Sequence, residues 1–114
     1  MDARKKTSLV ESSSEVLFSV VIPAFNAEKT IERAIRSAFF DIADTTEVIV
    51  VNDGSSDRTC LILQSLSDNY GCALKIINQE NLGACAARNV GLDVAAGKYV
   101  QFLDADDELL LGKL

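Results

Sequence analysis

Four short apolar, β-branched runs alternate with three stretches of helical periodicity, and this alternation narrows the architectures open to the chain. The runs are Leu17–Ile22, Glu47–Val51, Ala73–Ile77 and Tyr99–Leu103. Their nearly continuous apolarity is that of strands buried on both faces. After the first run, Ile31, Ala34, Ile35, Ala38 and Phe39 recur at i, i+3, i+4, i+7 and i+8, one apolar helical stripe. Asn26 is expected as the N-cap of that helix, with Glu28 in its first turn. A second helix is expected from about Asp57 to Tyr70, with Ile62, Leu63 and Leu66 on one side and Gly71 as its stop. A third is expected from about Leu82 to Ala96, where Ala87, Val90, Gly91, Val94 and Ala95 repeat the stripe and Gly97 ends it.

Strands separated by helices imply right-handed crossovers and a parallel sheet, hence a Rossmann-like α/β fold of alternating β-α units. In such sheets ligands bind outside the carboxyl ends of the strands, at a switch in strand order. The residues directly after each strand are therefore the candidates for chemistry. They are Pro23-Ala24-Phe25-Asn26, then Asn52-Asp53-Gly54-Ser55-Ser56-Asp57, then Asn78-Gln79-Glu80-Asn81-Leu82-Gly83, and finally Asp104-Ala105-Asp106-Asp107. Turn chemistry accounts for part of this polarity. It does not account for three aspartates crowded behind Phe102-Leu103.

Composition removes several function classes. The 114 residues suit one compact domain. Residues 1–15 are polar, serine-rich and aperiodic, and read as a loose tail preceding a domain over 16–114. The chain has no histidine, which excludes Ser-His-Asp and Cys-His machinery within it and imidazole metal sites. Its net charge of −6, without a basic run, gives no support for nucleic-acid binding. Cys60, Cys72 and Cys85 are odd in number and form no Cys-x-x-Cys pair; reduced thiols, some buried, are expected. Neither a signal peptide nor a membrane span is legible, so the chain is expected in the cytoplasm, or at the cytoplasmic face of a membrane through a later segment.

Residues 104–114 carry −3, as much net charge as the preceding 103 residues together. Like charges so close raise one another's pKa unless a cation sits among them. Carboxylates without imidazole favour Mg²⁺ or Mn²⁺, held through one or two side chains and completed by water and phosphate oxygens. Asp104-x-Asp106 at a strand end thus suggests a metal–diphosphate site, or an acidic loop in which Asp106 or Asp107 opens a helix. Asp53 either turns the chain with Gly54 and caps the second helix, or accepts hydrogen bonds from a nucleoside. Arg88 either meets a phosphate at the start of the third helix or pairs with a surface acid.

Four segments together resemble family 2 glycosyltransferases of the GT-A fold: FSVVIPAFNAEKTIERAIRSAF, EVIVVNDGSSDRT, NLGACAARNVGLDVAAGKYVQFLDADD and LLLGKL. They span roughly residues 18–114. The resemblance implies the nucleotide-sugar-binding half of an inverting, metal-dependent transferase that moves a sugar, from a UDP-sugar, to a saccharide, lipid-linked or other hydroxyl acceptor. By resemblance Pro23, Ala24, Phe25 and Asn26 hold the nucleoside, and Asp53 contacts the base. Asp104 lies near ribose and diphosphate, Asp106 binds Mg²⁺ or Mn²⁺, and Arg88 stands beside the donor pocket. Asn52 replaces the first of two aspartates common in the family. The family's acceptor strands and carboxylate general base are expected beyond Leu114, so residues 1–114 alone are expected to transfer no sugar and to self-associate along an exposed strand edge. The alternative is a non-catalytic nucleotide- or Mg²⁺-binding α/β domain, a degenerate transferase or a receiver-like module.

Overall fold

The computed structural model describes residues 16–40 and 46–107. The tail 1–15, Glu108 and the closing LLLGKL lie outside the described residues. Within them the order is β1 (Phe18–Ala24), α1 (Ile31–Phe40), β2 (Thr46–Asp53), α2 (Thr59–Tyr70), a 3-10 turn (Gly71–Ala73), β3 (Leu74–Gln79), α3 (Ala84–Val94) and β4 (Tyr99–Phe102). All four expected strands and all three helices are present. The first three strands run two residues further than the apolar runs at their carboxyl ends, and the fourth stops one residue short. Polar Asn52, Asp53, Asn78 and Gln79 continue the ladder although periodicity alone ends it.

The four strands form one parallel sheet in the order β3-β2-β1-β4. The chain moves outward from β1 to β3, then returns to the other side of β1 for β4. The reversal places the topological switch between β1 and β4. It also separates this sheet from a receiver-like module, in which β1 lies between β2 and β3.

Residue alternation sorts the core into two layers. Val20, Ile22, Val48 and Val50 face α1 and α2, where Ile31, Ala34, Ile35, Ala38, Phe39, Leu63 and Leu66 are buried. The five-residue stripe of α1 is buried throughout, and burying Ile31 and Ile35 contributes about 1.5–3 kcal/mol each. Val21, Ile49 and Val51 face the opposite side, against Ala87 of α3. This second layer is thinner: Val90 and Ala95 are half-buried and Val94 is exposed, so the expected stripe of α3 is only partly inward. At Gly91 a Cβ would overlap Val21 Cγ1, so α3 lies tight against β1 at that point.

The amino-terminal edge of the sheet is tied by a buried carboxylate. Glu47 Oε2 accepts the Ser19 hydroxyl at 2.6 Å and the Ala96 N–H at 2.7 Å, while Lys75 Nζ stands 2.7 Å from Oε1. The Gly97 N–H donates to Ser19 Oγ at 2.8 Å. Three strands and the exit of α3 thus meet at one side chain. Burial raises the Glu47 pKa, but the Lys75 ammonium, the Ser19 hydroxyl and the Ala96 amide outweigh it and hold the carboxyl below its ordinary value.

Candidate functional site

Because every strand runs the same way, all four polar segments lie on one edge. Ala24 and Asn52 are register partners at the ends of β1 and β2, and Asn52 Nδ2 donates to Asn78 Oδ1 of β3 at 3.0 Å. On the other side of β1, Val21 pairs with Phe102, and Leu103 N donates to Val21 O at 3.0 Å. The segments Pro23–Asn26 and Asp104–Asp106 therefore leave adjacent strands at the switch point. Pro23 and Ala24 still belong to β1, Phe25 is 53% exposed, and Asn26 is exposed with φ +49°.

Asn26 is not the N-cap of α1. The helix starts at Ile31, and Ala27 O accepts the Thr30 and Ile31 amides. The Asn26 side chain turns to the β2–α2 segment instead, where its Oδ1 accepts the Ser56 N–H at 2.8 Å. Asparagine tolerates a left-handed backbone better than most residues, which suits this position. Three consecutive amides follow the same direction. Asn26 N donates to Ser55 Oγ (2.9 Å), Ala27 N to Thr59 Oγ1 (2.9 Å) and Glu28 N to Asp57 Oδ2 (3.2 Å). In return Arg58 N donates to Glu28 Oε1 at 2.9 Å. The sequence singled out none of Ser55, Asp57 and Thr59 for this task. Their alternate spacing before a helix start was the available signal.

Asp53 is 4% exposed and, rather than capping the second helix, holds the amides that lead into the third. Its Oδ1 accepts Gln79 Nε2 at 2.8 Å and the Leu82 N–H at 2.7 Å; its Oδ2 accepts the Gly83 N–H at 3.0 Å. Asn81 Nδ2 donates to the Asp53 carbonyl oxygen at 3.0 Å. Gln79 and the Leu82 amide outweigh burial and hold the carboxyl below its ordinary value. Gly54 allows this approach: its φ is +74°, and a Cβ would stand 2.7 Å from Asn81 N. Asp57, not Asp53, serves α2, its Oδ1 accepting the Thr59 N–H at 2.9 Å and the Thr59 hydroxyl at 2.6 Å.

Arg88 and Asp104 lie together, Nη2 to Oδ1 at 3.5 Å, with side chains 38% and 65% exposed. The surface acid that Arg88 finds is thus one of the two site aspartates. Asp106 is exposed, and Arg33 of α1 donates to its carbonyl oxygen at 3.3 Å. Among the described residues no three carboxylates or thiols gather into a complete metal cage. One or two exposed carboxylates are nevertheless the donor set from which Mg²⁺ or Mn²⁺ binds together with a diphosphate. Cys60, Cys72 and Cys85 are all free and all exposed, against the expectation that some are buried. No described helix is long and apolar enough to cross a membrane.

Known proteins resemble this chain in sequence and fold. The uncharacterized glycosyltransferase YibD of Escherichia coli K12 is 41% identical over 91 residues, which are 80% of this chain and 26% of that protein. The structure of S. aureus TarS 1-349 in complex with UDP-GlcNAc is 35% identical, with a TM-score of 0.71 over 80% of this chain and 27% of that fragment. The mannosyltransferase PcManGT from Pyrobaculum calidifontis, in complex with GDP-Man and Mn²⁺, is 27% identical, with a TM-score of 0.74 over 81% of this chain and 28% of that one. The chain therefore spans about a quarter of the length of these relatives. The pattern of Glycosyl transferase family 2 matches residues 19–114, and the chain belongs to that family.

Proposed function

We propose that this chain forms the donor-binding half of a glycosyltransferase that moves a sugar from a UDP-sugar to an acceptor hydroxyl, with inversion at the anomeric carbon. The observation that carries the reading is the strand reversal, by which Pro23–Asn26 and Asp104–Asp106 follow the carboxyl ends of neighbouring strands. The UDP-GlcNAc complex of TarS, on the same fold, supports a nucleotide-sugar there.

In this reading Pro23, Ala24, Phe25 and Asn26 flank the nucleoside, and Asp53 offers the base what remains of its Oδ2 acceptor capacity. Asp104, with Arg88 beside it, meets ribose and diphosphate. Asp106 would hold Mg²⁺ or Mn²⁺, for which an exposed carboxylate without imidazole or thiolate partners is the fitting donor. When bound, such a cation neutralises charge on the departing nucleoside diphosphate. The acceptor site and the general base are assigned to none of the described residues.

Calorimetric titration of the intact protein with UDP, UDP-GlcNAc and GDP-mannose, with and without Mn²⁺, tests the reading. Metal-dependent binding of UDP and a UDP-sugar is expected. Absence of binding by every nucleoside diphosphate would overturn it.

A further inference from the structure

We propose that Thr59 and Asp57 are positioning residues for the donor, fixing the backbone of the β1–α1 segment from the start of the neighbouring helix. The proposal rests on the donor-binding reading and adds to it residues that need touch no ligand.

The segment after β1 has little holding it in place by its own means. Asn26 sits in the left-handed region at φ +49°, outside helix and strand, and Phe25 beside it is exposed. A backbone in this state keeps one conformation only if its surroundings over-determine it. The surroundings here are three side chains at alternate positions: Ser55 takes the amide of Asn26, Thr59 that of Ala27 and Asp57 that of Glu28. Thr59 is the centre of the set. It is fully buried, its Oγ1 accepts the Ala27 N–H, and its hydroxyl proton goes to Asp57 Oδ1 at 2.6 Å. Asp57 Oδ2 then takes the Glu28 N–H. One carboxylate thereby orients the hydroxyl that receives one amide and itself receives the next.

The polarity of the chain of bonds is fixed. A neutral amide at position 57 would present an N–H₂ group to either the Thr59 hydroxyl and amide or the Glu28 amide, all of which already donate. A valine at 59 would keep the shape and remove both the acceptor for Ala27 and the donor to Asp57. Neither change removes an atom from the carboxyl-edge residues assigned to the donor. Each frees the segment that carries Phe25 and Asn26.

The experiment uses the intact protein and three variants, Thr59→Val, Thr59→Ser and Asp57→Asn. UDP affinity is read by calorimetry, and hydrogen exchange at the Ala27 and Glu28 amides by NMR or mass spectrometry. Thr59→Val is expected to speed exchange at Ala27 and to weaken UDP binding by up to about tenfold, equivalent to about 1.4 kcal/mol, the scale of one lost hydrogen bond. Thr59→Ser should restore both, and Asp57→Asn should act chiefly at Glu28. Wild-type UDP affinity in Thr59→Val or Asp57→Asn, with the amides exposed, overturns the proposal and leaves the donor-binding reading standing. Equal loss in Thr59→Val and Thr59→Ser also overturns it. If Thr59→Val does not fold, Ser55→Ala replaces it, with the Asn26 amide as the reporter and the same two outcomes. A wild-type protein that binds no nucleoside diphosphate overturns both readings together.

Discussion

The carboxylate of Asp53, at the end of β2, accepts the Leu82 amide at 2.7 Å, so the end of one strand fixes the entry of a helix that follows a different strand. The same carboxylate takes Gln79 and Gly83. Substitution by alanine leaves these donors without their acceptor at a position only 4% exposed. Asp53→Ala should therefore lower the unfolding free energy by about 1–3 kcal/mol. Denaturant titration measures this directly. A change below about 0.5 kcal/mol, the scale of ordinary surface substitutions, would show that water replaces the carboxylate without loss.

Acid should act through the same group and its counterparts. Glu47, Asp53 and Asp57 are each held below the ordinary carboxylate value by their donors. A group whose folded pKa is depressed contributes stability that is fully present above its unfolded value, about 4, and lost as pH falls through the lower folded value. With no histidine in the chain, no imidazole titrates between about pH 5 and 8. Stability should thus be flat from about pH 7.5 to 5.5 and fall steeply below about 4. In Glu47→Gln the acid-side slope should become shallower, because one of the linked protons is gone. An unchanged slope in that variant would assign the acid loss to other groups.

Packing makes a separate demand at Gly91. A methyl group there overlaps Val21 Cγ1. Gly91→Ala gains about 1 kcal/mol of helix propensity but overpacks the thin layer under α3, at a cost of about 1–3 kcal/mol. A net destabilisation is expected. Because the cause is one contact, Val21→Ala should recover part of it, so the double variant is less destabilised than the sum of the two. Strict additivity in a double-mutant cycle would place the strain elsewhere.

The strands and helices were legible because their apolar spacing reports burial directly, and the stripe from Ile31 to Phe39 is inward throughout. The shared edge of the polar segments followed from parallel topology. The identity of the caps was not legible. Asn26, Asp53 and Asp57 are all suitable cap types, and only the crossing of loops decides that Asp53 serves α3, Asp57 serves α2 and Asn26 serves the Ser56 amide. The exposure of Val94 was missed for a related reason. Periodicity gives the direction of a face but not how much sheet lies beneath it.

Arg88 and Asp104 separate stability from function. Their contact is long at 3.5 Å and both side chains are substantially exposed, so as an ion pair it contributes little. Arg88→Gln should change stability by less than about 0.5 kcal/mol. If Arg88 faces the diphosphate as proposed, the same variant should weaken UDP binding several-fold in the intact protein, and more at low salt than at high salt. Unchanged affinity at both ionic strengths would reduce Arg88 to a surface residue.

The metal prediction turns on Asp106. The side chain is exposed and no core packing depends on it, so Asp106→Asn should leave the folding transition where it is. It removes one negative charge and one anionic oxygen donor from the edge where the diphosphate is proposed to lie. A hard divalent cation binds a neutral amide oxygen more weakly than a carboxylate. The difference should therefore appear only when the cation is present: UDP affinity in EDTA should match wild type, and the gain produced by Mn²⁺ should shrink about tenfold or more, the scale seen when a metal site loses even a supporting partner. Asp104→Asn serves as the comparison, with a loss expected in EDTA as well, because Asp104 is proposed to meet ribose and diphosphate directly. If Asp106→Asn keeps the full Mn²⁺ enhancement while Asp104→Asn loses it, the metal belongs to Asp104 and the two roles exchange.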